Sequence, residues 1–73
     1  MTQEAIEIAR YLMDLHRCKR TDYICRKILP GIDAHAVLRA MHETGKSEFE
    51  ILEPYGLRGS EARWVMHAIL RER

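Results

Sequence analysis

Residues Ser47–Leu70 read SEFEILEPYGLRGSEARWVMHAIL, and this stretch decides the fold. Ser47 with Glu50 three residues on forms a capping box, in which the two residues satisfy each other's free backbone N–H groups, so a helix starts here. That helix is brief, because Pro54 has no N–H and its ring would collide with the carbonyl of Glu50. Gly56 supplies a turn and Leu57 an apolar anchor directly after it. From Ser60 onward Ala62, Val65, Met66, Ile69 and Leu70 recur on one face of a second helix. A short helix, a glycine turn and a better helix follow the spacing of a helix-turn-helix. Both serines of the stretch, Ser47 and Ser60, are read as helix caps.

The chain before it has the same character. Thr2 is placed to cap a first helix with Glu4 in its first turn, and Ala5, Ile8, Ala9, Leu12 and Leu15 recur at helical spacing, with Ile6 and Met13 widening the stripe. That helix runs to about His16 or Arg17. The basic residues His16, Arg17, Lys19 and Arg20 then complement the negative end of its dipole. Thr21 is placed to cap a second helix, with Ile24, Cys25 and Ile28 on its buried side, until Pro30 and Gly31 stop it. Asp33 caps a third, in which Ala34, Val37, Leu38 and Met41 keep the apolar rhythm and Gly45 lies just past the end. The Thr21–Met41 and Ser47–Ile69 segments echo each other as two similar helical hairpins. No stretch alternates with a period of two, so the expected fold is all-α: a compact bundle of about five short helices in one domain, residues 1–73.

A chain of 73 residues buries too small a core to enclose a deep catalytic pocket. Hydrophobic residues at 47% and charged residues at 32% describe a globule, neither disordered nor embedded in a membrane. No apolar run is long enough to span a bilayer, and Glu4 and Glu7 stand where a signal peptide needs positive charge, so a cytoplasmic location is expected. The two cysteines are then expected to be reduced thiols. A core this small favours a homodimer. Twelve basic against 11 acidic residues, a net charge of +1, exclude coating of nucleic acid by charge alone.

The outward face of the last helix is the most informative surface. Trp64, His67 and Arg71 are spaced i, i+3, i+7, Arg63 lies beside them, and Arg58 and Arg73 add charge at the two ends. In a helix-turn-helix these side chains would read base edges and hold phosphates. Pro54 inside the first helix of the motif and the carboxylates Glu48, Glu50, Glu53 and Glu61 oppose that reading. An acidic helix beside an aromatic and arginine face equally suits a protein partner. His16, Cys18 and Cys25 do not have the spacing of a zinc site, so no metal is expected. His35 and His42 share one face of the third helix as edge residues, with a pH-sensing pair as the alternative. Neither a G-x-S-x-G elbow, nor a phosphate loop, nor a cysteine with a histidine base is present. An enzyme, a cofactor and a small-molecule substrate are therefore not expected.

Residues 11–28 carry a resemblance. Tyr11, Leu12, Met13, Leu15, Arg17, Cys18, Asp22, Arg26 and Ile28, without a gap and at a similar distance from the N-terminus, resemble the Hha/YmoA family of small all-helical nucleoid-associated modulators of bacterial gene expression. Trp64 is similar to a tryptophan near that family's C-terminus, whereas Pro30-Gly31 and the Pro54–Gly59 turn depart from its longer helices. The resemblance implies binding to a DNA-organising protein through charged surface, with Arg17 and Arg26 as secondary contacts and Cys18 as a packing residue. The expectation is a small non-catalytic regulatory protein, transcription-associated, that binds a macromolecule, DNA or protein, with helix five (about 60–71) as contact element. The alternative is an inhibitor or adaptor of phage or plasmid type that engages a protein through Trp64, Arg63 and the acidic helix 48–53.

Overall fold

The first and last long helices hold the chain together, lying antiparallel against each other. The computed structural model describes residues 1–72, and Arg73 lies outside the described residues. Helix α1, Gln3–Leu15, begins at Thr2, whose Oγ1 accepts from the Ala5 N–H at 3.2 Å. It buries Ala5, Ile6, Ala9 and Met13. Helix α5, Ser60–Leu70, buries Ala62, Val65, Met66, Ala68 and Ile69. At one end of the pair the Thr2 hydroxyl donates to Glu72 at 2.9 Å; at the other, His16 lies against Trp64.

Helix α1 closes with Arg17 in the left-handed region at φ 56°, and the Cys18 N–H donates back to the Met13 carbonyl at 2.9 Å. This is a Schellman closure made without the usual glycine. Thr21 is not the cap expected of it. It is buried, and its hydroxyl donates to the Cys18 carbonyl at 2.9 Å, stitching the turn that precedes helix α2, Thr21–Tyr23. That helix widens at once into a π-helical turn, Ile24–Ile28, and then tightens into a 3₁₀ turn, Leu29–Gly31. The wide turn comes just ahead of Pro30, whose ring in a regular helix would collide with the Arg26 carbonyl. Ile24, Cys25 and Leu29 are buried there, while Ile28 is half-buried.

Asp33 caps helix α3, Ala34–Thr44, by accepting from the His35 and Ala36 N–H groups at 3.0 and 3.2 Å, and Gly45 ends it at φ 69°. Both halves of the Ser47–Glu50 capping box are made at the start of helix α4, Glu48–Leu52. Pro54 turns the chain into the 3₁₀ segment Glu53–Tyr55, which Gly56 closes at φ 90°. The two hairpins thus share a proline-bearing 3₁₀ turn at corresponding places, Leu29–Gly31 and Glu53–Tyr55. All elements are helical, and no strand occurs among the described residues.

The core is built from Met13, Ile24, Leu29, Ile32, Val37, Leu52, Leu57, Val65 and Ile69, each 2% exposed or less. Two leucines expected in it are not there. Leu15 is 62% exposed and Leu70 39% exposed, because each stands at the edge of its helix's apolar stripe with no neighbouring helix to cover it. Every buried side-chain nitrogen and oxygen among the described residues has a hydrogen-bond partner.

Candidate functional site: the outward face of α4 and α5

The junction of α4 and α5 is positioned by one ion pair from a distant part of the chain. Arg20 donates from Nε and Nη2 to the two carboxylate oxygens of Glu61, at 3.0 and 2.8 Å, and Nη2 also donates to the Gly56 carbonyl at 2.6 Å. Glu61 accepts in addition from the Arg58 N–H at 3.0 Å. The helix start therefore relies on Glu61, in the first turn where its charge also suits the dipole, and Ser60 makes no capping bond. The last residue before the helix is Gly59 at φ 53°. Burial pushes the Glu61 carboxyl up, but the hydrogen bonds from Arg20 and the Arg58 N–H, with their charges, outweigh it and hold it below the usual carboxylate range. The same hydrogen bond raises the Arg20 guanidinium. Arg20 is thus an anchor for the α5 turn rather than a complement to the α1 dipole.

From this anchored start, Arg63, His67, Leu70 and Arg71 are exposed along α5, with Arg58 exposed in the turn before it. Trp64 does not stand with them. It is half-buried, packed on the core and stacked on the His16 ring with centroids 5.1 Å apart and planes 11° from parallel. Arg63 reaches across to α4: its Nε lies 3.8 Å from Glu48, and its guanidinium sits 5.7 Å from the Phe49 ring centre. A shallow hollow of about 230 Å³ lies beside this pair, lined by Glu48, Arg63, Met66, His67 and Leu70. A second, of about 350 Å³, runs from Phe49 and Glu53 to the Gly56–Gly59 turn. Glu50 is exposed on α4 and Glu53 is exposed at the start of the 3₁₀ segment that follows it.

Sequence spacing thus identifies the exposed cations of this face, but not Phe49, Met66 and Leu70, which give it an apolar floor. Phe49 carries a usable signal, as a large aromatic one residue after a helix start, where side chains seldom find the core. The Arg20–Glu61 link has none, since 41 residues separate the partners. Arg17 and Arg26 lie elsewhere. Arg17 is exposed in the Schellman turn, and Arg26 is on the π-helical turn, 3.3 Å from Asp22, which also meets Arg10 at 3.5 Å. Cys18 is half-buried beside Glu61, and Cys25 is buried, with desolvation pushing its thiol up. His35 and His42 are both exposed on α3. No group of three His, Cys, Asp or Glu side chains among the described residues could hold a metal, and no helix among them is long and apolar enough to cross a membrane. Comparison of the chain with family models, with curated proteins and with solved structures finds no match.

Proposed function

We propose that this protein is a small non-catalytic regulator that acts by macromolecular binding through α5, and that its partner on this face is a protein. The observation that carries the reading is the engagement of Arg63: its guanidinium rests over Phe49 and beside Glu48. Glu48 beside Arg63, Glu50 on the same short helix and Glu53 just after it would repel a phosphate. Mixed charge around an apolar floor, with arginine and aromatic side chains at the centre, is the composition of protein-binding surfaces. A transcription-associated role follows if that partner is itself a regulator or organiser of DNA, as the resemblance at residues 11–28 implies.

The test is capture of partners by the tagged protein from lysate treated with nuclease, repeated with Phe49→Ala and Arg63→Ala. Both substitutions are at exposed positions and leave the core intact, which Trp64→Ala would not. Capture that survives nuclease and is lost with either variant supports the proposal. Capture that disappears with nuclease moves the assignment to DNA, read by Arg58, His67 and Arg71, whose side chains form no ion pair among the described residues.

A further inference from the structure

Residues 17–27 hold five of the chain's 12 basic residues, Arg17, Lys19, Arg20, Arg26 and Lys27, and one of its 11 acidic ones, Asp22. They fold as the turn after α1, helix α2 and the π-helical turn, so a chain of net charge +1 gathers a cationic surface there. Tyr23 stands out of it, 55% exposed. The Arg20 guanidinium lies 5.7 Å from the Tyr23 ring centre, and its bonds to Glu61 and the Gly56 carbonyl fix it there. Lys27 follows Tyr23 by four residues, close to one turn, and is exposed on the same face. Lys19 is exposed in the turn that leads into α2.

The carboxylates near this surface are engaged elsewhere. Asp22 meets Arg10 at 3.5 Å and Arg26 at 3.3 Å, and Arg10, Asp14 and Asp22 gather on the side toward α1, where their charges act on the Cys25 thiol. Glu61 is held by Arg20 on the side toward α5, and Glu53 lines the hollow beside Phe49. Lys19 and Lys27 form no ion pair among the described residues. An open aromatic ring is therefore flanked by free cations rather than by apolar side chains. Free cations attract phosphate, and a ring in that setting suits the stacking of one flat base more than an apolar protein surface or a lipid tail. A duplex keeps its base faces stacked, and α2, with three residues, is too short to read a major groove. A single strand presents phosphates and unstacked bases together.

We propose that residues 19–27 bind single-stranded nucleic acid, with a base stacked on Tyr23, the neighbouring phosphates on Lys19 and Lys27, and Arg20 bracing the ring. The site uses neither Phe49 nor Arg63, so it is independent of the protein-binding role of the α4–α5 face. A chain using both surfaces joins a protein to a strand.

The experiment is fluorescence anisotropy of labelled single-stranded DNA and RNA oligonucleotides of mixed sequence, titrated with the full chain over a series of salt concentrations, with circular dichroism to confirm the helicity of each variant. Single strands bind at low salt, and Tyr23→Ala weakens binding by at least about fivefold, whereas Tyr23→Phe retains it. Lys19→Ala and Lys27→Ala each reduce the slope of log affinity against log salt by about 0.7. Tyr11→Ala, at a tyrosine 66% exposed on α1, and Arg63→Ala leave binding unchanged. Absence of binding at low salt overturns the proposal, as does a duplex or a phosphatidylserine vesicle bound as tightly as the strand. So does a salt slope indifferent to both lysines, or a loss from Tyr11→Ala or Arg63→Ala as large as that from Tyr23→Ala.

Discussion

Replacing Glu61 by alanine removes the contact on which the α4–α5 arrangement depends. The carboxylate accepts two hydrogen bonds from Arg20 and one from the Arg58 N–H, and its side chain is 14% exposed, that of Arg20 31%. Truncating one partner of a fully buried charged pair costs about 3–5 kcal/mol, mostly because the other charge is stranded. Arg20 can still turn partly to water, so the expected loss is about 2–3 kcal/mol. For a chain of this length that lowers the melting temperature by roughly 8–24 °C. Thermal and urea unfolding followed by circular dichroism measure it, with Arg20→Ala and the double variant completing a cycle that isolates the coupling. A pH series supplies the second reading. The folded carboxyl lies below its ordinary value of 4.5, so its contribution is present in full above that value and is lost as pH falls through the folded one. Wild type should therefore exceed Glu61→Gln in stability at neutral pH, and the gap should shrink below pH 4.5 and close once the carboxyl is protonated. An unchanged melting temperature for Glu61→Ala, or a gap independent of pH, would refute the reasoning.

Two further outcomes are expected. Arg17→Gly raises stability by about 0.5–1 kcal/mol, because the left-handed conformation at φ 56° strains a residue with a Cβ and not glycine; a lower urea midpoint would contradict it. His16→Ala removes the ring stacked on Trp64, the chain's single tryptophan, so its emission shifts toward that of a wetter indole and stability falls by about 1 kcal/mol. Emission identical to wild type would mean that the two rings do not stack in solution.

Sequence by itself determined the elements of this protein, because their signals are local. The Ser47–Glu50 capping box, the Asp33 cap, the left-handed Gly45 and the stop at Pro54 each depend on groups within a turn or two of one another, and each is found where its spacing places it. The apolar periodicity of α1 and α5 likewise marks Ala5, Ala9, Val65 and Ile69 as core. Tertiary structure decided what a helix's edge residues meet, and periodicity carries no such information. Leu15 and Leu70 belong to the same stripes as their buried neighbours yet face water, since no element passes over them. Trp64 belongs to the outward spacing of α5 yet turns toward α1 and stacks on His16. The basic run at the end of α1 has an adequate local reason in the helix dipole, which conceals the distant carboxylate that Arg20 binds. Thr21 shows the same limit on a smaller scale: a threonine before a helix suits a cap, but burial of its hydroxyl left the Cys18 carbonyl as the partner within reach. Contacts within a helical turn follow from the order of residues, whereas contacts between turns follow from how the helices pack.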